Sequence, residues 1–151
     1  MAKPDVGDPA PDFHRPGSGG LNYSLRDYEG SGVILAFYPA DFTTVCTKQF
    51  CSYRDERRRI EAFGTPMLGI SPQSVASHER FIEEKGLNVP LLADQDKSMA
   101  RAYGVLGRGG FVRRAIFIVD GDLKVRHRDV KRLGLTFDSV DDIERALASI
   151  Q

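Results

Sequence analysis

Short apolar runs alternate with longer amphipathic stretches along most of the chain. The runs at residues 32–38 and 66–71 are largely apolar, as expected of strands buried on both faces of a sheet. Pro39 closes the first run. The stretch 43–63 contains neither Gly nor Pro and is rich in charged residues, so it predicts a helix of about five turns that ends at Gly64.

The second half of the chain continues this alternation. The remaining predicted helices cover residues 74–85, 97–103 and 138–150. Ser74 is the candidate N-cap of the first of these helices, and Gly86 is its candidate C-cap. The runs 114–119 and 123–128 flank Asp120-Gly121-Asp122, and an Asp-Gly pair between two such runs predicts an antiparallel hairpin.

Two regions carry weaker patterns. Residues 1–22 contain four prolines and several glycines that exclude regular helix, so we expect a loop-rich N-terminal arm. Residues 89–93 fit either a strand end or a loop. Strands that alternate with helices and finish in a hairpin and a helix predict an α/β sandwich with a mixed central sheet flanked by helices. We expect a single domain over residues 1–151.

Composition narrows the range of functions. The 151 residues are 41% hydrophobic, which is enough for one packed core without a disulfide or a structural metal. Lys and Arg number 21, as do Asp and Glu, and this balance argues against nucleic acid or a membrane surface as a partner. The N-terminus has no apolar stretch of signal-peptide length, so we expect a soluble, cytoplasmic protein. In that compartment a cysteine pair is more often catalytic or metal-binding than structural.

Cys46 is the first candidate for chemistry. It falls in the first turn of the predicted helix 43–63, just after a buried strand, where α/β folds gather active sites. Free backbone N–H groups and the helix dipole favour a thiolate at such a position. Thr43 can place its hydroxyl near the sulfur or near a bound oxygen, and Pro39 can shield the thiol. The alternatives are a small buried core residue for Cys46 and a plain N-cap for Thr43.

Cys51 is the second candidate. Five residues along an ideal helix place the two thiols about 140° apart around the axis, with Cα atoms roughly 8–9 Å apart. A disulfide needs Cα atoms within about 7 Å, so the first turns of the helix must unwind before the pair can bond. Phe50 and Tyr53 share the inward face with Cys46, whereas Cys51 shares the outward face with Arg58. The alternative for Cys51 is an ordinary exposed thiol.

Other signals receive simpler interpretations. His78 is expected to be a polar surface or cap-region residue, and the scattered histidines argue against a metal site. We expect no cofactor.

Arg54 and the run 57–59 fit a solvated helix face, with a docking patch for an acidic reductant as the alternative. Asp94 and its neighbour Asp96 are typical of turn and helix N-terminal carboxylates, and residues 104–110 fit a loop near the active-site rim.

The segment around Cys46 resembles a known family. Pro39-x3-Thr43-x2-Cys46 is similar to the active-site motif of the peroxiredoxins, which are thiol peroxidases with a thioredoxin-like fold. Cys51, five residues later, resembles the resolving cysteine of the peroxiredoxin Q group, also called bacterioferritin comigratory proteins. Similar flanking segments lie at residues 6–13, 68–71 and 114–120.

The resemblance implies a role for each matched residue. Cys46 would attack a hydroperoxide and become a sulfenic acid, while Thr43 and the backbone N–H of Cys46 hold the peroxide oxygens and Pro39 shields the site. Arg114 would complete the pocket as a permanent cation, provided that it, and not Arg113, aligns with the family pattern. Cys51 would then form an intramolecular disulfide that thioredoxin or a similar thiol reductant reopens. We expect a monomer or a weak homodimer.

Two other functions compete with thiol peroxidase. A dithiol–disulfide oxidoreductase acting on protein substrates would use the same two cysteines but would have no need for Thr43 and Arg114. A thioredoxin-fold binding or chaperone module with idle cysteines would keep its activity after Cys46→Ser.

Overall fold

Seven strands and five α-helices build the part of the chain that the computed structural model describes, residues 4–132 and 136–150. The strands are β1 (His14–Gly17), β2 (Leu21–Ser24), β3 (Val33–Phe37), β4 (Met67–Ser71), β5 (Leu91–Ala93), β6 (Ala115–Val119) and β7 (Val125–Val130). The helices are α1 (Thr44–Asp55), α2 (Arg57–Ala62), α3 (Val75–Lys85), α4 (Ser98–Ala102) and α5 (Val140–Ser149). None of these helices is long and apolar enough to cross a bilayer.

All seven strands join one mixed sheet in the order β2-β1-β5-β4-β3-β6-β7. The central strands β3, β4 and β5 are parallel, whereas β6 runs antiparallel to β3 and β7 runs antiparallel to β6. The predicted α/β architecture with a mixed sheet is therefore confirmed, as is the hairpin formed by β6 and β7. The Asp120 side chain closes that hairpin, because it accepts the backbone N–H groups of Asp122 and Lys124.

The N-terminal arm differs from the sequence prediction. Residues 14–17 and 21–24, expected to lie in a loop-rich arm or just beyond it, pair as the antiparallel strands β1 and β2. Pro16 is tolerated within β1 because that strand pairs with β5 only through Gly17 and Leu92. The prolines of this region exclude helix, but they do not exclude a short strand near a sheet edge.

The predicted helix 43–63 is interrupted. Helix α1 ends at Asp55 and α2 begins at Arg57, with Glu56 between them at φ −104° and ψ 25°. A straight helix of 21 residues would be about 31 Å long, roughly twice the length of a five-residue strand. The break keeps Ile60 in the same buried cluster as Cys46. The stretch contains no Gly or Pro that would predict this break.

The other predicted elements are confirmed within one to three residues at most ends. Ser74 caps α3 by accepting the N–H of Ser77, and Gly86 ends that helix in the left-handed conformation at φ 63°. Residues 91–93 form a strand, which settles the choice left open for 89–93.

Hydrophobic side chains cover both faces of the sheet. Alternate residues of β3 serve the two faces: Leu35 and Phe37 pack into one cluster, and Ile34 and Ala36 pack into the other. This explains why the run 32–38 is apolar throughout. Cys46 lies in the cluster of Ile34, on the face that α1 covers.

Gly69 of β4 shows how closely α1 packs on the sheet. A Cβ at this position would lie 2.6 Å from Leu91 Cδ2 and 3.0 Å from the Phe50 ring. Phe50 is one turn from Cys46 on α1, so the absence of a side chain at Gly69 helps to set the position of the helix that carries the thiol.

We predict that Gly69→Ala lowers the free energy of unfolding by about 1–3 kcal/mol, because the added methyl overpacks the core. Urea denaturation measures the effect. The costs of Gly69→Ala and Leu91→Ala should be less than additive in the double variant, since the smaller residue at 91 removes one of the clashes. Strict additivity of the two costs would contradict this explanation.

Candidate active site

Cys46 lies beyond the end of β3, in the first turn of α1, and its side chain is completely buried. Thr43 is the N-cap of that helix: its Oγ1 accepts the backbone N–H of Cys46 at 3.4 Å and donates to the carbonyl of Ala40 at 3.3 Å. Thr43 itself is exposed. The thiol is therefore held beneath a helix terminus whose capping hydroxyl faces the surface.

Arg114 reaches Cys46 from the neighbouring strand. Because Phe37 pairs with Ala115, the end of β3 lies beside the start of β6, and Arg114 directly precedes β6. Its Nη1 donates to Cys46 Sγ at 2.8 Å, and only 4% of the residue is exposed. Arg114 is therefore a buried residue beside the sulfur and not a surface residue at the edge of the strand.

The neighbouring Arg113 points elsewhere. Its side chain runs past Gly107, where its Nε lies 3.1 Å from the position that a Cβ would take. Successive residues of an extended chain face opposite sides, and this alternation separates the two arginines. The glycine-rich loop 104–110 thus packs against the residue adjacent to Arg114.

Gln49 forms a further part of the site that the sequence analysis missed. Its Oε1 accepts from Arg114 Nη1 at 3.1 Å, and its Nε2 donates to the Tyr53 hydroxyl at 3.0 Å. The Tyr53 hydroxyl in turn donates to the backbone carbonyl of Asp138 at 2.7 Å. Gln49 follows Cys46 by three residues, a spacing that places both on one helix face and could have identified it.

The expectation for His78 is wrong. It is completely buried, with Nδ1 2.8 Å from Asp41 Oδ2 and Nε2 2.9 Å from the carbonyl of Leu92. The Asp41 carboxylate also accepts the Tyr38 hydroxyl at 2.6 Å and the Ser77 hydroxyl at 2.7 Å. His78 precedes the buried Phe81 by three residues, and this helical spacing marks the inward face of α3.

This second polar cluster borders the site. Asp41 belongs to the loop between β3 and α1, two residues before Thr43. Burial first, and then the charge of Asp41, raise the pKa of Tyr38 well above its usual range, so its hydroxyl stays neutral and donates. The charge of a Cys46 thiolate would act in the same direction, so the Tyr38 hydroxyl lies within electrostatic range of the sulfur.

Cys51 is less exposed than the helical projection suggested. It is half-buried and packs at the margin of the cluster that contains Cys46. Both cysteines are free, and α1 runs without a break from Thr44 to Asp55 between them. Arg54 follows Cys51 by one turn; the pKa of its guanidinium is raised, first by the hydrogen bond to Asp55 and then by the charge of Cys51.

Pro39 and the predicted turn carboxylates lie where the sequence indicates. Pro39 is half-buried in the loop between β3 and α1. Asp94 accepts the backbone N–H groups of Met99 and Ala100 at the start of α4, as expected of a helix N-terminal carboxylate. Within residues 4–132 and 136–150, no group of three His, Cys, Asp or Glu side chains is arranged to hold a metal ion.

A cavity of about 530 Å³ lies away from the thiol. It opens beside residues 64–68 and 88–90, which lead into β4 and β5, and Tyr28 and Ile60 also line it. Cys46 follows the carboxyl end of β3, so this cavity and the thiol belong to opposite ends of the parallel strands. The cavity therefore has no part in the site around Cys46.

A buried cysteine at a helix N-terminus, held against an arginine on an α/β sandwich, is an arrangement that suits thiol-based redox chemistry. The model of the AhpC/TSA family matches residues 6–128. Peroxiredoxin Bcp of Escherichia coli K12 is 35% identical over 129 residues, which cover 81% of this chain and 83% of that protein. The chain therefore belongs to the AhpC/TSA family and is a peroxiredoxin.

Solved structures agree with the family assignment. The crystal structure of peroxidoxin BcpB from Mycobacterium tuberculosis has a TM-score of 0.81 and 32% identity, covering 96% of this chain and 95% of that one. The bacterioferritin comigratory protein of Xanthomonas campestris, whose structural study concerns alkyl peroxide reduction, has a TM-score of 0.82 and 25% identity, with 97% of each chain covered. The thioredoxin-like fold is confirmed.

Behind Gln49 and Tyr53, the side chain of Asp138 is buried beside two charged groups. Its Oδ1 lies 3.2 Å from Lys131 Nζ, which also bonds Asp129 at 2.9 Å. Burial, followed by the hydrogen bond and the charge of Asp129, raises the pKa of Asp138 to about 7. The pKa of Asp129 is lowered by its bond to Lys131 despite the opposing effect of burial.

We predict that the free energy of unfolding falls more in wild-type protein than in Asp138→Asn as the pH rises from about 5 to about 8. The difference between the two changes should be on the order of 2 kcal/mol. A raised pKa in the folded state means that the folded chain holds a proton that the unfolded chain has released. The stabilisation from this proton is therefore complete below the pKa of Asp138 in the unfolded chain, and it is lost as the pH passes about 7. Urea denaturation of the reduced proteins at both pH values measures it, with the exposed Asp122→Asn as control. An equal pH response in wild type and Asp138→Asn would contradict the assignment.

Proposed function

We propose that this protein is a thiol peroxidase that reduces hydrogen peroxide and organic hydroperoxides through Cys46, forms a Cys46–Cys51 disulfide, and is recycled by thioredoxin or a similar thiol reductant. The observation that carries the proposal is the contact of 2.8 Å between Arg114 Nη1 and Cys46 Sγ at the start of α1. A permanent cation against the sulfur favours the thiolate, which is the nucleophilic form.

Three groups at the start of α1 can donate hydrogen bonds to a bound peroxide. Arg114 Nη1 contacts the sulfur from the strand, the backbone N–H of Cys46 lies at the helix terminus, and the Thr43 hydroxyl becomes a donor to peroxide when it leaves the Ala40 carbonyl. The N–H of Cys46 makes only a long bond of 3.4 Å to Thr43, so it is available to a better acceptor. These donors would hold the peroxide oxygens, and Pro39 would shield the site.

In the first step the Cys46 thiolate attacks one peroxide oxygen along the O–O axis. The S–O bond forms while the O–O bond breaks, and the leaving hydroxide or alkoxide takes up a proton to give water or an alcohol. The sulfur is oxidised to a sulfenic acid and the peroxide is reduced. Charge grows on the leaving oxygen, and donors already in place stabilise it without reorganisation.

In the second step the Cys51 thiolate attacks the sulfenic sulfur. The S–S bond forms and the sulfenic oxygen leaves as hydroxide, which becomes water on protonation. The intact helix between the two thiols prevents this step, so the first turns of α1 must unwind. A dithiol from the reductant then reopens the disulfide by exchange and restores both thiols.

The burial of Cys46 favours peroxidase over disulfide exchange with proteins. Its exposure is 0%, so a small peroxide can reach the sulfur through slight movement of the loop, whereas the disulfide of a folded protein substrate cannot. Arg114 also donates a hydrogen bond to the sulfur, which an exchange reaction between two sulfur atoms does not require.

We predict that reduced wild-type protein loses two thiols for each hydrogen peroxide in rapid mixing at sub-stoichiometric peroxide. Cys51→Ser should react as fast but stop at a sulfenic acid, and Cys46→Ser should be inert, because Cys46 is the cysteine that accepts a hydrogen bond from Arg114. Quenched thiol titration and intact-mass spectrometry measure the products. If all three proteins react at the slow rate of an ordinary thiol, the peroxidase function is wrong.

We predict that Arg114→Met slows the second-order reaction of Cys46 with peroxide about 100-fold, because it removes a donor aimed at developing charge. Arg114→Lys should lie between this variant and wild type, since it keeps the charge but loses the planar donor group. Arg113→Met is the matched control and should stay within about twofold of wild type. Similar losses in Arg113→Met and Arg114→Met would show that Arg114 has no specific part in the reaction.

A further inference from the structure

We propose that Asp41, His78 and Ser77 form a clamp that positions the loop 39–43 for the attack on peroxide and must release before Cys46 can meet Cys51. The inference rests on the proposed peroxidase function. The three residues are positioning residues, since they act on the sulfur through the loop.

Asp41 is the centre of the clamp. Its two carboxylate oxygens accept hydrogen bonds from the Tyr38 hydroxyl, the Ser77 hydroxyl and His78 Nδ1, at 2.6 to 2.8 Å. These donors belong to the end of β3 and to α3, so one side chain ties the loop to two elements of the scaffold. Only 6% of Asp41 is exposed, so water cannot replace these partners at little cost.

His78 anchors the clamp to the sheet. Its Nδ1 faces the carboxylate and its Nε2 faces the carbonyl of Leu92, so both ring nitrogens meet oxygen acceptors. The histidine therefore connects the loop, α3 and β5 through its two ring nitrogens.

The backbone of the loop is strained at Phe42, and the clamp holds it in that conformation. Phe42 lies between Asp41 and Thr43 at φ 64°, in the left-handed region that a bulky residue rarely adopts. The residue is 42% exposed, and its ring contacts Phe81 of α3 at a centroid distance of 5.1 Å. Release of Asp41 would let this backbone relax toward ordinary conformations, which favours opening of the loop.

The clamp reaches the reacting atoms through the backbone. Ala40, next to Asp41, offers the carbonyl that orients the Thr43 hydroxyl, and Thr43 caps the N–H of Cys46. With the clamp closed, Thr43 and Cys46 keep the geometry that binds peroxide. With the clamp open, the N-terminus of α1 loses its cap and unwinds more readily.

The clamp therefore has opposite effects on the two chemical steps. It should speed the reaction of Cys46 with peroxide, which needs the folded loop, and slow disulfide formation, which needs the unwound helix. A residue that merely stabilises the fold has no reason to shift the two rate constants in opposite directions.

The test is Asp41→Asn, which keeps the size of the side chain but removes its charge and one acceptor oxygen. Rapid quenching and intact-mass spectrometry resolve the second-order loss of reduced protein and the first-order, peroxide-independent formation of the disulfide. We expect the first rate constant to fall and the second to rise, each about tenfold, which corresponds to about 1.4 kcal/mol in each barrier.

Two further variants keep the test decisive. Asp94→Asn is the matched control, because Asp94 is also buried but accepts a backbone N–H group of α4, and the two rate constants of this variant should not diverge. Ser77→Ala removes one donor to Asp41 from a half-buried helical position, so it should fold and should shift both rate constants in the same directions by a few fold. It decides the question if Asp41→Asn does not fold.

The inference is wrong if both rate constants of Asp41→Asn and Ser77→Ala stay at wild-type values, or if both fall together as in a destabilised protein. Wild-type protein separates this failure from a failure of the proposed function. If wild type shows the fast, Cys46-dependent reaction and the variants show no opposed shifts, only the clamp is overturned. If wild type itself shows no such reaction, the peroxidase function fails.

Discussion

The contact between the Arg114 guanidinium and the Cys46 sulfur is the interaction on which the rest of the site depends. Both groups are almost fully removed from water, where a hydrogen bond is stronger than in solvent. In the proposed mechanism this contact activates Cys46 as the nucleophile. The antiparallel pairing of β3 with β6 places Phe37 opposite Ala115 and so brings the two groups together. Gln49 then fixes the guanidinium through its own bond to the same nitrogen.

The proposed mechanism would place opposite demands on α1. The reaction with peroxide would need Cys46 in the first turn of an intact helix, against Arg114 and beneath its N-cap. A disulfide with Cys51 would need those same turns to unwind. The start of the helix would then need an attachment that can be released. Phe50 and Tyr53 anchor its inward face in the core, whereas its start is held by polar contacts in the preceding loop.

Two hydrogen-bond networks of the described residues are buried beside the sulfur. One runs from Arg114 through Gln49 and Tyr53 to the backbone of Asp138, and it fixes the orientation of each donor. The other joins Tyr38, Asp41 and His78 and ties the loop to α3 and β5. Hydrogen bonds are stronger in such an environment, and an unpaired group there is costly, so both networks hold their members in defined positions.

The sequence by itself determined the order of strands and helices, the hairpin, the caps of α3 and the candidate residues around Cys46, because these depend on local periodicity, turn chemistry and motif spacing. It did not predict the break at Glu56, the strands within the N-terminal arm, or the burial of His78 and Asp41, because each depends on which distant element packs against the residue. The choice between Arg113 and Arg114 shows the difference most clearly. Both have the same chemistry and adjoin in sequence, and only the register of β6 against β3 decides that Arg114 meets the sulfur.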